Sequence, residues 1–321
     1  MCIRDRYATF SVLISTFLVG TIFYFVSGFL GIEISFIFCL IFGALISPTD
    51  PIAVLALLKK AGISKTIEIK IVGESLFNDG VGIVVFLSLL TLGTMEGSEI
   101  HFGHIAKEFG FEVGGGLFLG ALLGFLGSRL LKSLEEEPVI AVHVTLAIVM
   151  GGYSLASALH VSGALAMVVA GLIIGDSLHH ASANSTQNQH LNIFWKVIDE
   201  ILNSILFVLI GLELIILNFQ LNYLLLGIIS IFIVLLSRFI SIFIGNFFLS
   251  KEHRADSKIL KILTWAGLRG GISIALVLSL PQDETREILL LVTYVIVVFS
   301  IIVQGLSIEK LVKSLHLSNK G

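Results

Sequence analysis

Residues 73–80 read Gly-Glu-Ser-Leu-Phe-Asn-Asp-Gly and interrupt a long apolar stretch of the sequence. Charged side chains at membrane depth are costly, so they generally mark ion or proton pathways. Two further polar segments break other apolar runs, Ser47-Pro48-Thr49-Asp50-Pro51 and Leu268-Arg269-Gly270-Gly271. Together the three segments predict one shared ion site inside a membrane protein.

The composition excludes an ordinary soluble domain. Of the 321 residues, 56% are hydrophobic and 13% are charged, whereas charged residues make up about a quarter of typical soluble domains. Cys2 and Cys39 are too far apart in the sequence to indicate a disulfide or metal framework. The glycine-rich stretches lie within apolar runs and form no nucleotide-binding pattern. We therefore expect a polytopic membrane protein without a cofactor, driven by ion gradients.

A membrane-spanning helix needs about 20 apolar residues. On that rule the sequence predicts ten spans, at about residues 8–30, 34–58, 67–93, 110–131, 139–159, 162–176, 194–217, 221–249, 258–281 and 287–307. Lysine and arginine cluster after the second, eighth and tenth spans, and such loops are usually cytoplasmic. We expect an all-α, multi-pass protein of the cell (plasma or inner) membrane with both termini in the cytoplasm.

The first three and last three spans form two related triplets, each with an interrupted middle span. Residues 7–93 are predicted to form one core triplet, which carries the ion site, and residues 221–307 to form the second. Interrupted helices at corresponding positions are typical of inverted-repeat transporters, which bind substrate where these helices meet. Residues 110–217 form the intervening helices, and residues 308–321 form a short cytoplasmic tail.

The third span carries a single polar or small stripe. Glu74, Ser75, Asn78, Asp79 and Gly82 fall on one helical face, and apolar residues fill the other faces. At 1.5 Å per residue, Asp79 lies about 13 Å from the flanking lysine at position 70. Similar counts place all three polar segments near the middle of the bilayer.

The other two polar segments should interrupt their helices. Pro48 and Pro51 lack N–H groups, so they free backbone carbonyls that can coordinate a cation. Arg269, flanked by glycines, cannot lose its proton and must be paired. We predict Glu74 as its partner, because an unpaired Glu74 carboxylate would repel Asp79. Asp50 is the competing candidate, and Arg238 in the eighth span is a paired structural charge.

Three motifs resemble the monovalent cation:proton antiporter-1 family of sodium/proton exchangers. They are Gly-Ala-Leu-Ile-Ser-Pro-Thr-Asp-Pro at 43–51, Gly-Glu-Ser-Leu-Phe-Asn-Asp-Gly at 73–80 and Gly-Leu-Arg-Gly-Gly at 267–271. The resemblance covers essentially the whole chain. It implies a core with two broken, crossing helices that moves against a dimerisation domain, here residues 110–217, and a homodimer.

The resemblance also implies roles for individual residues. Asp79 is the carboxylate that binds cation and proton, and Thr49, Asp50 and Ser75 are near or water-mediated ligands. Asn78 stands where electrogenic relatives carry a second acid, which implies electroneutral, one-for-one exchange. Glu74 and Arg269 correspond to the family's buried ion pair. Members of this type are similar to a thirteen-span plan, so the chain is expected to begin at the fourth span and to lack the first three.

The mechanism expected from these residues is competition. If the empty, ionised core cannot cross the membrane but either loaded form can, competition of Na+ and H+ for Asp79 enforces exchange. Na+, Li+ and K+ all suit oxygen ligands, and the sequence does not separate them. An intramembrane aspartyl protease, with Asp50 and Asp79 as its dyad, is one alternative. A cation channel is another, although no repeated filter loop is present.

Overall fold

A computed structural model of the chain describes residues 3–50, 65–94, 102–134, 136–181, 185–216, 220–247 and 256–315. These residues form twelve α-helices and one π-helical segment, Ser300–Gly305, with no strand among them. The α-helices in chain order are α1 (Ile3–Phe29), α2 (Phe36–Ile46), α3 (Lys65–Thr94), α4 (Phe102–Lys132), α5 (Pro138–Ala158), α6 (Gly163–Ala181), α7 (Thr186–Ile216), α8 (Leu221–Phe247), α9 (Ser257–Trp265), α10 (Gly271–Leu278), α11 (Glu284–Phe299) and α12 (Leu306–Ser314). The predicted all-α fold is confirmed.

Local sequence signals explain where several helices begin. Pro138 occupies the first turn of α5, where its missing N–H group would have no helical partner. The Asp283 side chain caps α11 by accepting a hydrogen bond from the Arg286 amide at 2.7 Å. Glu284 and Glu287, in the same first turn, interact favourably with the positive end of the helix dipole.

Five described segments are long and apolar enough to cross a membrane. They are Ser11–Phe29, Gly110–Lys132, Pro138–Ala158, Leu221–Phe247 and Glu284–Ser314. Shorter apolar helices, Phe36–Ile46, Asn78–Gly93 and Gly163–Leu178, account for three more of the predicted spans. The second, third and ninth predicted spans contain the three polar segments, and this is why their uninterrupted apolar lengths are short.

The chain divides into two compact units. The first unit comprises Met1–Glu96 and Leu209–Gly321, and the second comprises Gly97–Val208. In the first unit α1 packs against α2, α3 and α8, and α8 in turn packs against α9 and α11. Its apolar core includes Phe23 stacked on Phe42 with ring centroids 4.3 Å apart. The predicted assignment of residues 7–93, 110–217 and 221–307 to particular roles stays a prediction.

The second unit is built on close packing of α4 against α6. Gly120 and Gly124 of α4 face α6, and Gly116, at the same four-residue spacing, faces Ser162 immediately before α6. A Cβ atom at Gly116 would come within 2.8 Å of the Ser162 carbonyl oxygen. These glycines therefore allow the two helix backbones to approach each other.

Both predicted interruptions are present in the first unit. The first interruption is residues 47–50, and the second interruption is residues 266–270. Helix α2 ends at Ile46, and residues 48–50 continue in non-helical conformation. Residues 51–58 of the predicted second span lie outside the described residues. The ninth predicted span consists of α9 and α10, which are separated by non-helical residues 266–270.

Candidate ion-binding site

The first interruption is held in place from both sides. The Ser47 hydroxyl donates a hydrogen bond to the Gly43 carbonyl oxygen at 2.6 Å, and its oxygen lies 3.1 Å from the Ser15 hydroxyl on α1. Pro48 packs directly on α3, since a Cβ atom at Gly82 would lie 2.5 Å from its Cγ atom. Gly82 therefore gives the non-helical segment room to lie against the polar stripe of α3.

The two interruptions contact each other through backbone and side-chain hydrogen bonds, and this contact is called the crossing below. The Asp50 amide donates to the Leu268 carbonyl oxygen at 2.8 Å. The Arg269 guanidinium, whose residue is 2% exposed, donates from Nη1 to the carbonyl oxygens of Ser47 and Pro48 at 2.5 and 2.8 Å. Backbone groups released by one interruption are thus satisfied by the other, as burial at membrane depth requires.

Thr49 is the centre of a buried polar cluster that joins this crossing to α3. The Ser75 hydroxyl donates to the Thr49 carbonyl oxygen, and the Thr49 hydroxyl donates to Ser75 Oγ at 3.4 Å. Asn78 Nδ2 donates a longer hydrogen bond of 3.5 Å to Thr49 Oγ1. All three residues are at most 4% exposed. The geometry places their oxygen atoms beside residue 79.

Asp79 carries a buried carboxylate oxygen next to this cluster. Its Oδ1 atom is inaccessible and has no hydrogen-bond partner among the described residues. The Thr49 backbone amide and the charges of Asp50 and Arg269 act on the Asp79 carboxyl group. Because this oxygen is buried without a described partner, a bound proton or cation would stabilise the carboxylate.

Two small residues let charged side chains approach the second interruption. A Cβ atom at Gly270 would lie 2.6 Å from Asp50 Oδ2, so the Asp50 carboxylate packs directly on that backbone. A Cβ atom at Gly267 would lie 2.9 Å from Nε of Arg238, which is 5% exposed. Arg238 therefore lies beside the crossing rather than at the protein surface.

The structure brings together most of the residues that the sequence singled out. Ser75 and Asn78 are each hydrogen-bonded to Thr49, and the Thr49 backbone joins them to Asp79. The structure describes the Glu74 backbone in α3 but not its side chain. The predicted ion pair between Glu74 and Arg269 therefore stays a prediction. The ligand roles of Thr49, Asp50, Ser75 and Asp79 also stay predictions.

Sequence reasoning missed a second buried network on the last span. The Arg269 amide donates to Ser300 Oγ at 3.0 Å, and Ser300 donates to Gln304 Oε1 at 2.5 Å. Gln304 Nε2 in turn donates to the Trp265 carbonyl oxygen at 3.1 Å. Ser300 and Gln304, both in the π-helical segment, thus satisfy both ends of the second interruption. Their four-residue spacing inside an apolar span is the signal that could have revealed them.

The site suits a small, hard cation. The atoms gathered around Thr49 are hydroxyl, amide, carbonyl and carboxylate oxygens, which hard cations prefer. No group of three or more histidine, cysteine, aspartate or glutamate side chains that could hold a metal ion occurs in the described part of the chain. These oxygen atoms, together with Asp79 Oδ1, are of the kind that a monovalent cation or a proton uses.

Two interrupted helices that cross at a buried carboxylate define an ion-coupled secondary transporter. Comparisons with known proteins agree with this class. The sequence profile described as "Sodium/hydrogen exchanger, transmembrane" matches residues 6–314, and the chain belongs to this family.

Characterised relatives cover most of the chain. The Na(+)/H(+) antiporter NhaP of Pseudomonas aeruginosa is 43% identical over 319 residues, which is 96% of this chain and 73% of that protein. The Na(+)/H(+) antiporter NhaH of Halobacillus aidingensis is 37% identical over 86% of this chain and 68% of its own length. The solved sodium proton antiporter MjNhaP1 of Methanocaldococcus jannaschii has the same fold, with a TM-score of 0.78. That match has 21% sequence identity and covers 98% of this chain and 78% of the solved chain.

Proposed function

We propose that this protein is a secondary antiporter that exchanges Na+ for H+ across a membrane, with both ions competing for Asp79. The observation that carries this proposal is the buried Asp79 Oδ1 atom beside Thr49, at the crossing of the two interruptions. A carboxylate in that position can be neutralised by either ion but not by both at once.

Competition at one carboxylate is sufficient to couple the two ions. When Na+ occupies the site the proton is excluded, and when Asp79 is protonated its affinity for Na+ is lost. The empty site leaves a charged carboxylate within the membrane, which opposes the conformational change. Asn78 is neutral, so one carboxylate alternates between one cation and one proton, and the exchange is electroneutral and one-for-one.

Hydrogen bonding leaves ligand atoms available for the cation. The Ser75 hydroxyl proton is donated to the Thr49 carbonyl oxygen, and the Thr49 hydroxyl proton is donated to Ser75. Each hydroxyl oxygen accepts one hydrogen bond in the cluster and retains a lone pair for a cation. Asp50 completes the set, either directly or through water.

Arg269 organises the site without binding the transported ion. Its bonds to the Ser47 and Pro48 carbonyl oxygens hold the segment that carries Thr49 and Asp50. Pairing with Glu74 would neutralise its charge and keep a second carboxylate from repelling Asp79.

Finer assignments of ion selectivity, assembly and topology complete the proposal. The oxygen ligands accept Li+ and K+ as well as Na+, and cavity size determines the choice among them. Residues 7–93 and 221–307 form the moving core, and residues 110–217 mediate a homodimer. The protein lies in the plasma or inner membrane with both termini in the cytoplasm.

The decisive experiment measures collapse of a preset pH gradient by Na+, Li+ and K+. It uses everted vesicles from cells that lack their own antiporters. Asp79→Asn should abolish the response to every cation, because the amide binds neither ion as a carboxylate does. Asp199→Asn provides a matched control, since Asp199 is exposed on α7 in the second unit. Continued exchange by Asp79→Asn would refute competition at this residue.

Family membership makes the protein a secondary transporter and not an enzyme. It therefore argues against an intramembrane aspartyl protease with an Asp50–Asp79 dyad. A channel would conduct cations without proton coupling, so a cation flux that leaves the pH gradient unchanged would favour that alternative.

A further inference from the structure

A cavity of about 580 Å³ lies in the first unit, away from the Asp79 site. Residues of α8, α9 and α12 line this open cavity, and they include Phe239, Lys261, Trp265, Lys310 and Leu311. None of these side chains takes part in the ion site described above. The cavity combines an apolar floor with two cationic side chains from different helices.

The two lysines have their charge available for a ligand. Lys261 and Lys310 are exposed, and neither forms a hydrogen bond or an ion pair with any residue in the described part of the chain. Lys313, one turn further along α12, is instead paired with Glu309 at 2.6 Å. A ligand that enters the cavity therefore meets two positive charges that no carboxylate of the described residues neutralises.

The remaining lining favours an amphipathic ligand. The Trp265 indole is fixed by a 2.8 Å hydrogen bond from Nε1 to Ser307 Oγ, and Ser307 donates its own proton to the Val303 carbonyl oxygen. The lysines are therefore the donors for an anion. Phe239, which is 44% exposed, and Leu311 supply apolar surface below them.

The position along the last span places the lysines at headgroup depth. The helical stretch Glu284–Ser314 contains 31 residues, which corresponds to about 46 Å of helix. A bilayer with its headgroups is about 40–45 Å thick. With Glu284 at one surface, Lys310 lies near the opposite surface, on the proposed cytoplasmic side.

We propose that this cavity binds the phosphate headgroup of an anionic phospholipid between Lys261 and Lys310, with an acyl chain along Phe239 and Leu311. Basic pockets between membrane helices on the cytoplasmic side are suited to such headgroups. The chemistry shared with free phosphate is the anionic oxygen, but the adjoining apolar surface selects the lipid.

The cavity is connected to the second interruption. Trp265 is the last residue of α9, and its carbonyl oxygen accepts the hydrogen bond from Gln304. A bound lipid would thus bridge α9 and α12 next to residues 266–270. Lipid binding should stabilise the helix ends that support the crossing.

Native mass spectrometry of the purified full chain, titrated with phosphatidylglycerol or phosphatidylcholine, tests the proposal without a transport assay. The wild-type chain should retain phosphatidylglycerol preferentially. The double variant Lys261→Gln/Lys310→Gln should lose roughly 30-fold in apparent affinity for it, as expected for two lysines near an anionic surface. Lys261→Arg/Lys310→Arg should retain binding.

The matched control is Lys258→Gln/Lys313→Gln, which removes two charges from the same two helices outside the cavity lining. It should bind phosphatidylglycerol as the wild type does. Equal losses in both glutamine pairs, no preference for phosphatidylglycerol, or equally effective displacement by inorganic phosphate would each overturn the proposal. Equal melting temperatures in phosphatidylcholine confirm that the variants are folded.

Discussion

The Asp50 amide donates a 2.8 Å hydrogen bond to the Leu268 carbonyl oxygen, and this bond joins the two interrupted segments at their crossing. Neither group could have a helical partner where it lies. Each would be costly to bury alone in a membrane. The contact places the Asp50 and Thr49 side chains on a backbone that the second interruption supports.

Replacing Gly270 should damage this crossing. A methyl group there would approach Asp50 Oδ2 to 2.6 Å and the Asp50 Cβ atom to 2.8 Å. Overpacking of this kind typically costs about 1–3 kcal/mol, so Gly270→Ala should lower Na+ affinity by roughly tenfold. The measurement is the Na+ concentration that gives half-maximal collapse of the pH gradient.

The control for this variant is Gly171→Ala on α6, where a Cβ atom would meet nothing within 4 Å. It should leave transport unchanged and should not lower the melting temperature. Wild-type Na+ affinity in Gly270→Ala would show that the Asp50 carboxylate tolerates displacement.

Arg269→Lys should destabilise the protein although it keeps the charge. Both bonds to the Ser47 and Pro48 carbonyl oxygens come from Nη1, and a lysine side chain is one bond shorter than the path to that atom, so its ammonium group cannot occupy the same position. A hydrogen bond to a charged group contributes about 1.5–3 kcal/mol, so a clear fall in melting temperature is expected. Arg129→Lys, at an exposed position on α4, should melt like the wild type. Equal melting temperatures for the two variants would contradict the structural role of Arg269.

The Ser300 and Gln304 network should behave as one unit. Ser300→Ala leaves the Arg269 amide unsatisfied, and Gln304→Leu leaves the Trp265 carbonyl oxygen unsatisfied. Each should cost about 1–3 kcal/mol of stability. Because the two side chains bond to each other at 2.5 Å, the double variant should lose less than the two single losses combined.

Ser279→Ala is the control, since among the described residues that exposed hydroxyl bonds only to the Leu276 carbonyl oxygen. Strict additivity of Ser300→Ala and Gln304→Leu in thermal melts would show that the network is not cooperative.

Competition predicts the pH dependence of Na+ affinity. Protons occupy the Asp79 carboxylate at low pH, so the Na+ concentration for half-maximal exchange should fall as pH rises. This Na+ concentration should fall by at most about tenfold per pH unit while Asp79 is mainly protonated. It should become constant once Asp79 is ionised. Initial rates across a pH series in vesicles test this. Na+ affinity that is independent of pH would exclude competition.

The sequence was sufficient to predict the fold class, the family and the location of both interruptions. Pro48 and the glycines at positions 267, 270 and 271 impose local backbone constraints, so their effects can be predicted without knowing the tertiary structure. The polar stripe of α3 likewise follows from helical periodicity, which places Ser75 and Asn78 together.

Other features depend on packing between distant segments. The sequence required a partner for Arg269, but it did not indicate that its guanidinium would bond to the Ser47 and Pro48 carbonyl oxygens. The π-helical segment at Ser300–Gly305 was also not predicted, because its residues have ordinary helical sequence. π-Helical turns are rare and often occur at functional sites, and here the turn presents Ser300 and Gln304 to the second interruption.

The reciprocal bonding of residues 47–50 and 266–270 makes substitutions in the two segments depend on each other. A substitution that makes either segment a continuous helix would leave the other with unsatisfied backbone groups inside the bilayer. Such a single change should therefore destabilise the protein. We therefore expect a substitution that restores the helix in one segment to require a compensating change in the other. A chimera in which one segment is replaced by that of a distant exchanger should fail to assemble, whereas a chimera in which both segments are replaced should assemble.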